Sequence, residues 1–178
     1  LIGIKICRVG VSYTQLGRRH SSVIQKMAGI FHYHSVRDTI SEAYCNDMGI
    51  RIGKVIPDMA FNLSIEKGQE EKSIDYLLSF RRFGDNKIAD AFEFKLKRDF
   101  INKEELSFRL AFQVQFDRNY QEYLSNLLNS KLSILNMSNS LDENVSTYGG
   151  IKYVVSNRLH VLLLALSAGA IPIAVIDR

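Results

Sequence analysis

Short apolar runs rich in β-branched residues alternate along nearly the whole chain with stretches of helical period, and this alternation restricts the folds open to it. Strands separated by helices join parallel neighbours through right-handed crossovers, which yields a mostly parallel sheet. The predicted strands occupy 4–13, 31–36, 74–80, 107–116, 132–137, 152–156 and 171–176. The predicted helices occupy 19–28, 40–48, 88–100, 119–128, 141–148 and 159–168. In the first of these, Val23, Ile24 and Met27 form an apolar face at three-to-four spacing. Asp38 or Thr39 suits the cap of the second, and Gly49 suits its end. A short extended piece at 54–61 is interrupted by Pro57. The fold class expected is α/β, built from Rossmann-type parallel sheets.

The polar stretch 64–72 has linker composition and places a boundary there. Residues 1–63 are then the C-terminal part of an N-terminal Rossmann-like lobe, and 73–178 a C-terminal Rossmann-like lobe that is incomplete at its end. The first residue is Leu1 rather than Met and an apolar run reaches almost to Arg178, so the chain reads as the interior of a longer polypeptide.

Hydrophobic residues make up 46% and charged residues 24%, which excludes a disordered or fibrous chain. The net charge of +4 is spread over separated pairs such as Arg18 and Arg19 or Arg81 and Arg82. With no basic stripe, no nucleic-acid partner is expected. Cys7 and Cys45 form no CxxC motif and read as reduced thiols, pointing to the cytoplasm. The apolar stretch 159–176 contains His160, Ser167, Gly169 and Pro172, so it reads as a buried helix and strand rather than a membrane span.

In parallel sheets of this kind, ligands bind outside the carboxyl ends of the strands. Four such ends carry polar side chains, at 35–38, 79–82, 113–118 and 156–160. Arg37, Arg81 and Arg158 offer planar forks that match a carboxylate or phosphate, although each would equally suit an ion pair with a nearby acid. His160 falls in the first turn of a predicted helix, where unpaired N–H groups and the dipole favour anions. A capping role and a site role both fit that position. His32 and His34 alternate on one strand face, but no acid or thiol accompanies them at ligand spacing, so they read as packed or surface residues and no metal site is expected. His20 has no evident context. There is no GxGxxG after a strand, no GxxxxGK[ST], no GxSxG and no HExxH.

With these positions assigned, the chain resembles the polysaccharide pyruvyltransferase family. The resemblance is carried, in order, by HSVRD at 34–38 with Gly49 and Ile50, IPDMAFNL at 56–63, LLSFRR at 77–82, QVQFD at 113–117, and VVSNRLHVLLLALSAGAIPIAV at 154–175. Members of the family are generally longer, and the parts absent are the first strands of the N-terminal lobe and the tail beyond Arg178.

The resemblance implies two Rossmann-type lobes in a glycosyltransferase-B-like arrangement. It also implies transfer of pyruvate from phosphoenolpyruvate to a pair of sugar hydroxyls. The product would be a pyruvate ketal on a bacterial surface polysaccharide, such as an exopolysaccharide, or on its lipid-linked precursor. His160 and Arg37 are then the catalytic candidates, Arg37 reaching the donor from the other lobe. Arg158, Arg81, Asn157 and Leu159 are the candidates for binding phosphoenolpyruvate. Asp38 either orients Arg37 or caps the following helix, and Gln113 and Asp117 are placed to face the sugar, in a segment that departs from the commoner family forms. No cofactor is implied, phosphoenolpyruvate being a co-substrate. The setting implied is the cytoplasm, with peripheral association at the inner face of the membrane where the acceptor is lipid-linked. A nucleotide-sugar glycosyltransferase of the same architecture and a non-catalytic fragment are the competing readings.

Overall fold

The computed structural model describes residues 5–13, 18–58, 71–100, 105–128, 132–137 and 140–176. Two compact units divide the chain, Leu1–Asn62 and Leu63–Arg178. Positions 64–70 of the expected linker and 59–61 of the expected extended piece lie outside the described residues.

In the first unit, β1 (Cys7–Val11) and β2 (Tyr33–Val36) run parallel, joined by α1 (Arg18–Ala28). Val36 also bridges Val55 in parallel. Helix α2 (Thr39–Asp47) begins where Asp38 accepts a hydrogen bond from the Ser41 backbone N–H, which satisfies one otherwise orphaned helix donor. Just past its end Gly49 adopts φ +67, a conformation that costs a side-chain-bearing residue free energy. Tyr13, Val36, Cys45 and Ile50 form the core of this unit.

The second unit contains β3 (Ile74–Ser79), α3 (Asn86–Phe100), β4 (Phe108–Phe112), α4 (Arg118–Leu127), β5 (Ile134–Asn136), α5 (Leu141–Gly149), β6 (Ile151–Ser156), α6 (Leu159–Ser167) and β7 (Ile171–Ala174). All four pairings are parallel and the strand order is β5-β4-β3-β6-β7. The chain therefore moves outward from β3 through β4 to β5, then returns to the other side of β3 for β6 and β7. Alternate residues of the central strands face opposite cores. Leu77 and Val154 pack with Tyr148, Val161 and Ala165 of α5 and α6, whereas Leu78 and Val155 pack with Leu96, Tyr120 and Leu124 of α3 and α4. The near-continuous apolar composition of β3 and β6 follows from burial on both faces.

Register is fixed by side chains near the strand starts. Tyr76 lies between its partners Phe108 and Tyr153, with ring centroids 5.2 and 5.0 Å away. Lys152 donates to Asp75 at 2.7 Å. The Lys72 ammonium donates to the carbonyls of Ile151 and Gly169, both at 2.9 Å.

One element differs from expectation. The predicted strand 107–116 ends at Phe112, and Gln115–Asp117 form a 3-10 turn leading into α4. The polar-apolar alternation of 113–116 imitates a strand, but Phe112 is the last residue of β4 paired to β5. Beyond it Val114 and Phe116 are exposed, and no further strand pairing occurs among the described residues.

Candidate functional site

The winding direction reverses between β3 and β6, and in open parallel sheets the crevice outside the carboxyl ends at such a reversal is where ligands bind. Three segments meet there: residues after β3, residues after β6, and the 3-10 turn after β4. The ends of β3 and β6 are tied together by side chains that the sequence places next to one another only through the fold. Ser156 Oγ donates to the Ser79 carbonyl at 2.5 Å and accepts from the Arg158 backbone N–H at 2.9 Å. The Asn157 amide forms a two-point pair with the Arg81 backbone, accepting from its N–H at 2.8 Å and donating to its carbonyl at 2.6 Å. Asn157, expected to touch substrate, thus has both ends of its amide on Arg81. The buried Gln121 ties α4 to the end of β3 by donating to the Phe80 carbonyl.

Arg158 is the N-cap residue of α6, with extended backbone at φ −107 and ψ 115. Its guanidinium donates to Asp117 Oδ2. The Asp117 side chain is 8% exposed and that of Arg158 28%, so the carboxylate is enclosed while the guanidinium keeps one side open. Such a pair fixes the plane of the arginine fork without burying it. Arg158 Nε is itself buried and has no partner among the described residues. The first turn of α6 follows directly, with Leu159 and His160 both exposed. Backbone N–H groups in a first turn have no partner within their helix and attract anions. Arg81, whose backbone is held by Asn157, is exposed, and its side chain forms no hydrogen bond with the described residues. Arg158, Arg81 and the start of α6 therefore converge on one end of the sheet, with His160 beside them.

The first unit has its own polar group at the corresponding strand ends. Arg37 follows β2; its Nε donates to Ser12 Oγ and a terminal nitrogen donates to Asp58 Oδ2 at 3.0 Å. Ser12 Oγ in turn donates to Asp38 Oδ2 at 2.7 Å, and Asp38 lies 3.9 Å from Arg37. Burial opposes ionisation of Asp38, but the bonds from Ser12 and Ser41 and the Arg37 charge outweigh it, so its carboxyl sits below the ordinary value. Asp38 thus both caps α2 and braces Arg37, the two roles its sequence position offered.

His34 is buried, with Nε2 3.0 Å from the Tyr13 hydroxyl, whereas His32 lies exposed just before β2. Burial first, and the Arg8 charge second, hold the His34 imidazole below its ordinary pKa. Among the described residues no group of three or more His, Cys, Asp or Glu could hold a metal ion. The helices described include none long and apolar enough to cross a membrane.

Gln113 and Asp117, expected near the sugar, turn inward. Gln113 donates to the Tyr148 hydroxyl at 2.8 Å, and burial pushes that phenol up although the Gln113 bond opposes it. Asp117 holds Arg158. Sequence reasoning missed this partnership, and it also missed Gln121. The available signal was an acid placed directly after a strand in a chain with an arginine directly after another, but only the strand order brings the two together.

The family model described as polysaccharide pyruvyl transferase matches residues 1–176. A comparison with curated proteins found no match.

Proposed function

The chain belongs to the polysaccharide pyruvyl transferase family, and we propose that it transfers pyruvate from phosphoenolpyruvate to two hydroxyls of a saccharide, forming a ketal. The observation that carries this reading is the Arg158–Asp117 pair at the carboxyl ends of β3 and β6, where the enclosed Asp117 orients Arg158 beside the first turn of α6.

Phosphoenolpyruvate carries a carboxylate and a phosphate, and both need fixed cationic or N–H donors in a partly dry site. Arg158 and Arg81 supply guanidinium forks, and the first turn of α6, starting at Leu159, supplies backbone N–H groups. Asn157 contributes by holding the Arg81 backbone in place. The reaction joins C2 of the donor to two acceptor oxygens and breaks its bond to the phosphate oxygen. One hydroxyl proton ends on C3, which becomes a methyl group, and the other leaves with the phosphate. His160, exposed in the first turn of α6, is the candidate for taking a hydroxyl proton and delivering one to C3. Arg37 is the catalytic candidate of the N-terminal unit. The transfer as written uses phosphoenolpyruvate as co-substrate and calls for no further cofactor. A lipid-linked acceptor would place the enzyme in the cytoplasm at the inner membrane face.

The reading is tested by ligand-dependent stabilisation. A ligand present at a hundredfold its Kd raises native stability by about 2.7 kcal/mol. Phosphoenolpyruvate should raise the melting temperature where UDP-sugars do not. A shift with UDP-sugars alone would favour a nucleotide-sugar glycosyltransferase, and no shift with either would favour a non-catalytic chain.

A further inference from the structure

The 3-10 turn that carries Asp117 to Arg158 leaves the preceding residue, Phe116, on the outside with 94% of its surface exposed. Single exposed apolar side chains are ordinary on protein surfaces. Phe116, however, lines a cavity of about 440 Å³ together with Arg82, Asn119, Tyr120 and Tyr123. The two tyrosine rings lie parallel, with centroids 6.0 Å apart and an interplanar angle of 15°. Their hydroxyls donate to the two oxygens of the same buried carboxylate, Glu93, at 3.0 and 2.7 Å. The rings are therefore held at their polar ends, while Tyr123 remains 46% exposed. Asn119 and Arg82 are exposed at the rim and form no side-chain hydrogen bond with the described residues.

This cavity combines ordered aromatic surface with a few polar groups, and its volume lies within the range of small-molecule sites. The apolar face of a pyranose, lined by C–H groups, suits aromatic surface, and its hydroxyls suit an amide and a guanidinium. Among the described lining residues, a carboxylate- or phosphate-rich ligand would find Arg82 as its one charged partner, with Glu93 behind the rings. The cavity also adjoins the crevice, because Phe116 is next in sequence to Asp117 and Arg82 next to Arg81. We propose that the cavity lined by Arg82, Phe116, Asn119 and Tyr123 is the acceptor subsite, taking one pyranose ring against Phe116 and Tyr123. This rests on the reading of the neighbouring crevice as the donor site, and it gives that reaction its second substrate position.

The test uses the intact chain and the methyl glycosides of glucose, galactose, mannose and N-acetylglucosamine, with saturation-transfer NMR for detection and titration for affinity. At least one glycoside should bind. Phe116→Ala should weaken that binding about fivefold or more, the loss of one aromatic contact. Its melting temperature should be unchanged, since the side chain is exposed. Phosphoenolpyruvate affinity should be the same in Phe116→Ala as in the parent. Absence of binding by all four glycosides, or binding undiminished in Phe116→Ala, would overturn the proposal. Glycoside binding lost in Phe116→Ala, in a chain that does not bind phosphoenolpyruvate, would support the subsite while removing the donor assignment.

Discussion

Replacing Arg158 separates the two tasks assigned to it. In Arg158→Ala the Asp117 carboxylate, with an 8% exposed side chain, loses its charge partner. Removing one member of a buried ion pair costs about 3–5 kcal/mol. Arg158 is 28% exposed, so the lower end applies, about 3 kcal/mol. For a unit of this size that lowers the melting temperature by about 10 °C. Phosphoenolpyruvate would at the same time lose charge-assisted hydrogen bonds worth about 1.5–3 kcal/mol, or ten- to a hundredfold in affinity. Adding Asp117→Asn removes the stranded charge, so the double variant should regain most of the stability but none of the affinity. Thermal melts and calorimetric titration with phosphoenolpyruvate read the two quantities separately. If affinity returned together with stability in the double variant, Arg158 would act only through the fold and the binding role would fail.

Three further outcomes are expected. Asn157→Ala should lose about 1–2 kcal/mol in urea unfolding, because its two bonds to the Arg81 backbone are partly open to water, and should also weaken phosphoenolpyruvate binding. Asp38→Ala should destabilise the N-terminal unit by about 1 kcal/mol, the value of a helix cap, measured by thermal unfolding. Asp75 is held at about pKa 2, chiefly by the hydrogen bond from Lys152 and then by Ser107. A depressed carboxyl stabilises the folded state fully above its ordinary value of 3.8 and loses that contribution as pH falls toward 2. Asp75→Asn should therefore show a flatter stability profile across that window than the parent.

The strands and helices of the second unit were legible because their periodicity follows from burial on two faces, as in β3 and β6. The placing of Asn157 and Arg158 at a strand end was legible for the same reason. Their partners were not. Asp117 reaches Arg158 across 41 residues of chain, and Asn157 reaches Arg81 across 76, contacts that exist only because β6 lies beside β3 and β4 on its far side. A hydrophobic pattern fixes which residues are buried but not the order of strands. The segment 113–116 misled for a related reason: its alternation satisfies the period of a strand, yet β4 ends at Phe112 and Gln115–Asp117 turn as a 3-10 helix. In the first unit Asp38 was legible as a cap from its local position, whereas the Arg37 bond to Asp58 was not.

The central claim is that this chain moves pyruvate from phosphoenolpyruvate with His160 handling protons. It is tested most directly by phosphate release from phosphoenolpyruvate in the presence of a saccharide acceptor, comparing the parent chain with His160→Ala. A positioned proton-transfer group contributes about 10²–10⁴-fold, so turnover should fall by that factor while phosphoenolpyruvate affinity is retained. Unchanged turnover in His160→Ala would contradict the account.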